Sequence, residues 1–186
     1  MTETVDANLL KLECLGDGTQ FAAALHRMAP QSPLLENLSL AEIRLLSHFM
    51  RTYRVLPEQV ILREGDSGDF MLMIVAGRIE VSKRDSRDVA RVLALVGPGK
   101  TLGEMSMLDG EPRFATCTAR EAATVAVITR ESLARVLTEQ PMLGAKVLME
   151  LSLMLSQRLR FTSNRLVEYF DRQRELHDEF HQHGLV

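Results

Sequence analysis

What the chain lacks narrows its function. Only two cysteines, Cys14 and Cys117, occur in 186 residues, far apart and without C-x-x-C spacing. Neither a disulfide framework nor a zinc knuckle is expected from them, only two reduced thiols. There is no basic excess: 22 Lys and Arg face 25 Asp and Glu, for a net charge of -3. With no basic block either, nucleic acid is disfavoured as the main partner. The start "MTETVDANLLKLE" has neither the basic opening nor the apolar run of a secretory signal. No stretch reaches the roughly 18 apolar residues that span a bilayer. A cytoplasmic protein with no membrane partner is expected.

Histidine is missing where a metal barrel would need it. All five, His26, His48, His177, His181 and His183, lie outside the section from about 53 to 129. That removes the imidazole ligands of a cupin-type site. The same section holds no Ser-His-Asp or Cys-His set to supply a nucleophile and its base. His177 and His181 have helix-face spacing, but beside a polar chain end they read as a solvated tail rather than a metal site. An enzyme is not expected, and no metal is.

What is present divides into three. At 46% hydrophobic and 25% charged, the chain has enough apolar surface for one compact core with appended elements. Residues 1–50 read as helical: "ANLLKLECL" and "FAAALHRM" are apolar at helical spacing, and Ser39 with Glu42 has the spacing of a capping box. Between about 53 and 129 come short apolar runs, "VIL", "FMLMIV", "RIEV", "RVLALV" and "ATVAVI", separated by turns such as "EGDSGD" and "VGPGK". This predicts an antiparallel β-roll. From Arg130 the helical period returns, with a break at Pro141. The expected fold class is α+β: a jelly-roll-like antiparallel β-roll with N-terminal helices and a long C-terminal helix. The expected domains are a helical extension over 1–33, the β-roll with flanking helices over 34–140, and a C-terminal helical region over 141–186.

One segment, "LGEMSMLDGEPRFAT" from Leu102 to Thr116, carries distinctive chemistry. Gly103 would allow close backbone approach before "EMSML" begins a single helical turn, whose N–H groups suit a phosphate. Arg113, preceded by Pro112, supplies a fork of donors that matches two phosphate oxygens. Glu104 cannot bind phosphate and needs a donor such as a ribose hydroxyl. Together they describe a sugar phosphate site. The competing reading is a surface Glu104–Arg113 ion pair, worth under about 1 kcal/mol, with Gly103 merely making a turn.

Here the sequence resembles a known family, the cyclic nucleotide-binding domains of the bacterial catabolite activator protein, protein kinase A regulatory subunits and cyclic nucleotide-gated channels. The resemblance runs from about Leu34 to Tyr169. "REGDSGDFMLMIVAGRIEVSKRD" is similar to the family's first hairpins, and "LALVGPGKTLGEMSMLDGEPRFAT" to its phosphate-binding cassette. The resemblance implies that Glu104 holds the ribose 2'-hydroxyl and Arg113 the cyclic phosphate, with the backbone N–H groups of Gly103, Met105 and Ser106 around them. Gly65, Gly68, Gly77, Gly97 and Gly99 match the glycines that make the roll's turns. Two positions depart from the pattern. Phe114 stands where cGMP-selective relatives tend to have a threonine; a phenyl ring cannot hydrogen-bond a guanine amino group, and either packs beside or crowds the base, or packs in the core. Ser106 stands where Ala or Gly is usual, and its hydroxyl either adds a phosphate contact or caps the helical turn.

The C-terminal section adds a seam. Leu148, Ser152, Leu155, Leu159, Thr162, Leu166, Tyr169, Gln173, Leu176 and Phe180 follow alternating steps of four and three, as in a coiled coil. A helix packed on its own roll would need a wider apolar stripe. A parallel homodimer through this helix is therefore expected. "QRLRFTSNR" is similar to the catabolite activator's dimer helix, which implies that Thr162 and Ser163 read the base, the serine from the opposite subunit. The segment after Ser163 is too short for a helix-turn-helix domain, so no direct DNA binding is expected, and the output would pass to an unidentified protein partner. The expected function is a stand-alone cyclic nucleotide sensor. cAMP is the favoured ligand, ahead of cGMP; cyclic di-GMP in the same fold and a non-binding dimeric adaptor are the rivals.

Overall fold

The computed structural model describes residues 9–182. Two compact units are present, Met1–Glu150 and Leu151–Val186. In the first, strand β1 (Glu13–Asp17) precedes helices α1 (Ala22–Met28) and α2 (Leu40–Ser47). Strands β2 (Arg51–Val55), β3 (Val60–Leu62), β4 (Phe70–Ala76), β5 (Ile79–Arg84), β6 (Ala90–Val96) and β7 (Thr101–Leu102) follow. Helix α3 (Glu104–Asp109) then interrupts the strands before β8 (Thr116–Ala119), β9 (Ala123–Thr129) and helix α4 (Arg130–Glu139). Helix α5 (Pro141–Gln182) begins in the first unit and supplies the described part of the second.

The strands make two antiparallel sheets, ordered β1-β2-β9-β4-β7 and β3-β8-β5-β6. β4 lies between β9 and β7 in the first sheet. Its inward residues Phe70, Leu72 and Ile74 join Ile61, Ile79, Val125 and Val127 in one core, while Met71 and Met73 on its other face are buried as well. A strand covered on both faces should read as a continuous apolar run, which "FMLMIVA" does. At the far side of the second sheet β6 is an edge strand, and its Val92, Leu93 and Leu95 are exposed. The five apolar runs of the sequence all become strands, so the expected antiparallel roll with N-terminal helices and a long C-terminal helix is the observed architecture.

The N-terminal reading needs a correction. Glu13–Asp17, expected inside a helix, is an edge strand pairing with β2, with Glu13 opposite Arg54 and Asp17 opposite Arg51. Gly16, at φ +115, and a register shift between Cys14 and Gly16 break helical continuity, and pairing with β2 satisfies the backbone instead. Residues 1–8 of the expected extension lie outside the described residues. So do the side chains of His177, His181, Leu176 and Phe180, and the whole of His183.

The capping box on α2 is formed. Ser39 Oγ accepts from Glu42 N at 3.3 Å, and Ser39 N donates to Glu42 Oε2 at 2.8 Å. The other carboxylate oxygen accepts from Lys146 Nζ of α5 at 2.9 Å. The Lys146 hydrogen bond first, and the Ser39 backbone N–H next, hold the Glu42 carboxyl at about 2, against an ordinary 4.5. A second tie to α5 is Asn37 Nδ2, which donates to the buried Glu150 at 2.9 Å.

Because the Glu42 carboxyl is lowered in the folded state, its contribution is complete above about pH 4.5 and is lost as the pH falls toward 2. Urea unfolding at a series of pH values should show wild type more stable than Glu42→Gln near neutrality, with the gap closing steadily below pH 4.5. A gap constant with pH would remove this role.

Candidate functional site

The distinctive segment folds as a strand end, a six-residue helix and a return strand. β7 pairs with β4 and delivers the chain to Gly103, which is left-handed at φ +83. A Cβ there would lie 2.7 Å from Arg113 Nη1 and 3.1 Å from the carbonyl oxygen of Phe70, so a side chain is excluded by space as well as by φ. α3 opens with Met107 N donating to Gly103 O at 3.2 Å and closes with Gly110 N donating to Ser106 O at 3.0 Å. Its N-cap is Gly103, with no side-chain cap bond, so the Ser106 hydroxyl does not cap the turn.

Beyond α3 the chain is stitched to the β3–β4 turn by two backbone bonds, Arg113 N to Asp66 O at 2.8 Å and Gly65 N to Arg113 O at 2.9 Å. They aim the Arg113 side chain inward, where it is only 4% exposed. Its Nη1 donates to Phe70 O at 2.8 Å and to Gly103 O at 3.0 Å, and the guanidinium lies 4.4 Å from the Phe70 ring centroid. Gly68 forms the opposite wall: a Cβ there would sit 2.2 Å from Arg113 Nε. The side chain thus fills a slot between two glycine backbones and an aromatic face. The carbonyl bonds fix the plane of the fork, whose remaining donors match the oxygens of an acidic group.

Glu104, 1% exposed, begins α3. Both Glu104 and Arg113 engage other protein groups, and each keeps a buried atom, Oε2 and Nη2, with hydrogen-bonding capacity to spare. A buried carboxylate and a buried guanidinium flanking one short helix suit a ligand that carries both a hydroxyl donor and an anion. No group of His, Cys, Asp or Glu among the described residues could hold a metal ion.

The remaining sequence candidates fall at different depths. Ser106 is buried and Met105 is exposed. Phe114 is 53% exposed, so it is not packed in the core. Thr162 and Ser163 are exposed on α5 in the second unit.

Three residues were missed in sequence. Lys83 Nζ donates to Phe114 O and to Glu64 Oε1, both at 2.8 Å, and lies 4.2 Å from the Phe114 ring centroid. Glu64 also accepts from Arg84 N at 2.9 Å, and its carboxyl is held below the usual range, by Lys83 first and the Arg84 backbone next. Arg130 donates to the carbonyls of α3. No spacing rule marks these, because each contact joins elements far apart in sequence.

Comparison with known proteins gives this geometry its context. Residues 53–140 match the model of the "Cyclic nucleotide-binding domain" family. The Cyclic AMP receptor protein of Thermus thermophilus is 33% identical over 131 residues, 69% of this chain and 58% of that protein. A solved cyclic nucleotide-binding domain from Methylobacillus flagellatus is 33% identical at a TM-score of 0.78, covering 87% of this chain and 91% of that one. The regulatory domain of Toxoplasma gondii PKA, solved with cAMP, is 26% identical at a TM-score of 0.56, covering 63% of this chain and 44% of that one. This chain spans between about a third and three fifths of the length of the first curated relatives it matches. The match over most of both chains, with the buried Glu104 and Arg113 in their predicted segment, places this chain in the cyclic nucleotide-binding domain family.

Proposed function

We propose that the chain is a cyclic nucleotide sensor that prefers cAMP, dimerises through α5 and passes its state to a protein partner. The observation that carries the reading is the Arg113 slot. A guanidinium buried between Gly68 and Gly103 over Phe70 is preorganised for one anion of fixed geometry. Arg113 would take the cyclic phosphate and Glu104 the ribose hydroxyl, with the backbone N–H groups of Gly103, Met105 and Ser106 around them. Support for cAMP comes from the relative named a cyclic AMP receptor protein and from the regulatory domain solved with cAMP.

Phe114 bears on the choice of base. Its ring offers no donor or acceptor, so the hydroxyl contact that would favour guanine has no counterpart at this position. Lys83 holds its carbonyl and stands over its ring, leaving the ring at the surface to lie flat against a base.

The dimer rests on α5. Leu159, Leu166 and Tyr169 of the expected seam are all exposed, and Phe170 beside them is too. A second copy in register would cover them, with Thr162 and Ser163 on the same stretch of helix to read the base. A nucleotide that touched both roll and dimer helix would favour one arrangement only by its difference in affinity between two states, typically about 1–3 kcal/mol.

Calorimetric titration should show cAMP binding more tightly than cGMP, and cyclic di-GMP not binding. The opposite order would overturn the cAMP preference. Arg113→Ala should weaken cAMP about 100-fold, near 2.7 kcal/mol, and unchanged affinity would remove Arg113 from the site. Gly68→Ala leaves every charge in place but intrudes on the guanidinium, so it should also lower affinity, by about tenfold or more. In sedimentation, wild type should run as a dimer, and the pair Leu159→Asp with Leu166→Asp as a monomer. A monomeric wild type would end the dimer reading.

A further inference from the structure

Arg130 breaks a local rule. It is the first residue of α4, after the N-cap Thr129, where the helix dipole favours acidic side chains and disfavours cations. Its side chain does not serve α4. Nε donates to Met107 O at 2.7 Å and Nη2 to Ser106 O at 2.9 Å, two of the last four carbonyls of α3, toward the end where a cation is favourable. The Arg130 backbone N donates to Asp69 O at 2.6 Å, between the two residues, Gly68 and Phe70, that bed Arg113.

α3 needs such a hold. Six residues are too few to sustain a helix alone, and α3 has no side-chain N-cap. Both its first residue, Glu104, and the residue before it, Gly103, belong to the ligand site; Gly103 O is one of the two carbonyls that orient Arg113. A shift of α3 would therefore move Glu104 and open the Arg113 slot together.

We infer that Arg130 is a positioning residue: by holding the carbonyl end of α3 it keeps Glu104 and the Arg113 slot in binding geometry without touching the ligand. This rests on the cyclic nucleotide reading of the site, and its signature is a loss of affinity that follows a loosening of α3 before any ligand arrives. The fork matters as much as the charge, since two carbonyls are held by two different nitrogens; lysine would reach one.

The test uses the full chain with Arg130→Gln and Arg130→Lys. Amide hydrogen exchange in the ligand-free protein should show Met107 and Gly110, the amides that open and close α3, exchanging about tenfold faster in Arg130→Gln, with β9 amides unchanged. Titration with cAMP should show about tenfold weaker binding in Arg130→Gln and partial recovery in Arg130→Lys. Wild-type exchange at Met107 and Gly110, or wild-type affinity despite faster exchange, would overturn the inference. Faster exchange spread over β9 as well would reduce Arg130 to a general stability contact and overturn it too. If wild type binds no cyclic nucleotide, the reading of the site fails, and the affinity claim with it, whereas the exchange comparison still decides whether Arg130 holds α3.

Discussion

A single buried guanidinium organises this molecule's ligand-facing side. Placing Arg113 out of water costs free energy that must be recovered from hydrogen bonds, ring contact and an anionic complement. The requirement spreads outward. Phe70 must open β4 with its ring face and carbonyl available, Gly68 and Gly103 must carry no side chain, and the chain after α3 must be stitched to the β3–β4 turn so that residue 113 points in. None of these residues is adjacent to Arg113 in sequence, and all are fixed by the roll. The fold's first service to function is thus steric, since the antiparallel sheets bring two glycine backbones close enough to leave a slot one side chain wide.

The same logic explains what was legible in the sequence. Strands covered on both faces or alternating against the core show as apolar runs, so β4 and β9 were visible from "FMLMIV" and "ATVAVI". β8, "TCTA", was not, because its short alternating burial leaves only Cys117 and Ala119 to pack. β1 carries no strand signal, since an edge strand of five residues takes its conformation from pairing with β2 rather than from its own pattern. At the site, Gly103, Glu104 and Arg113 were readable because backbone approach, carboxylate and fork sit within one segment. Lys83, Glu64 and Arg130 were not. Lys83 reaches Glu64 and Phe114 only after β5 pairs with β8, and Arg130 reaches α3 only after β9 brings α4 beside it.

Phe114 shows where a residue type alone misleads. Aromatic and following a buried arginine, it was as consistent with the core as with the surface. Its neighbours decide. Lys83 binds its carbonyl and caps its ring, and Glu64 secures the lysine in turn, so the ring's exposure is held rather than incidental. An exposed apolar ring fixed in this way is suited to covering a planar ligand group, and a polar side chain there would supply direction instead of area.

The dependence of α3 on its surroundings also bears on signalling. A helix of six residues has too little internal cooperativity to set its own position, so whatever holds its two ends determines it. One end is joined through Gly103 to Arg113, and the other through Ser106 and Met107 to Arg130. An anion meeting Arg113, as proposed, would act on the first of these ends, while Arg130 of α4 holds the second. On the proposed reading, a ligand would need only to change the balance at one end of α3, the shortest α-helix among the described residues, rather than deform a strand or a long helix.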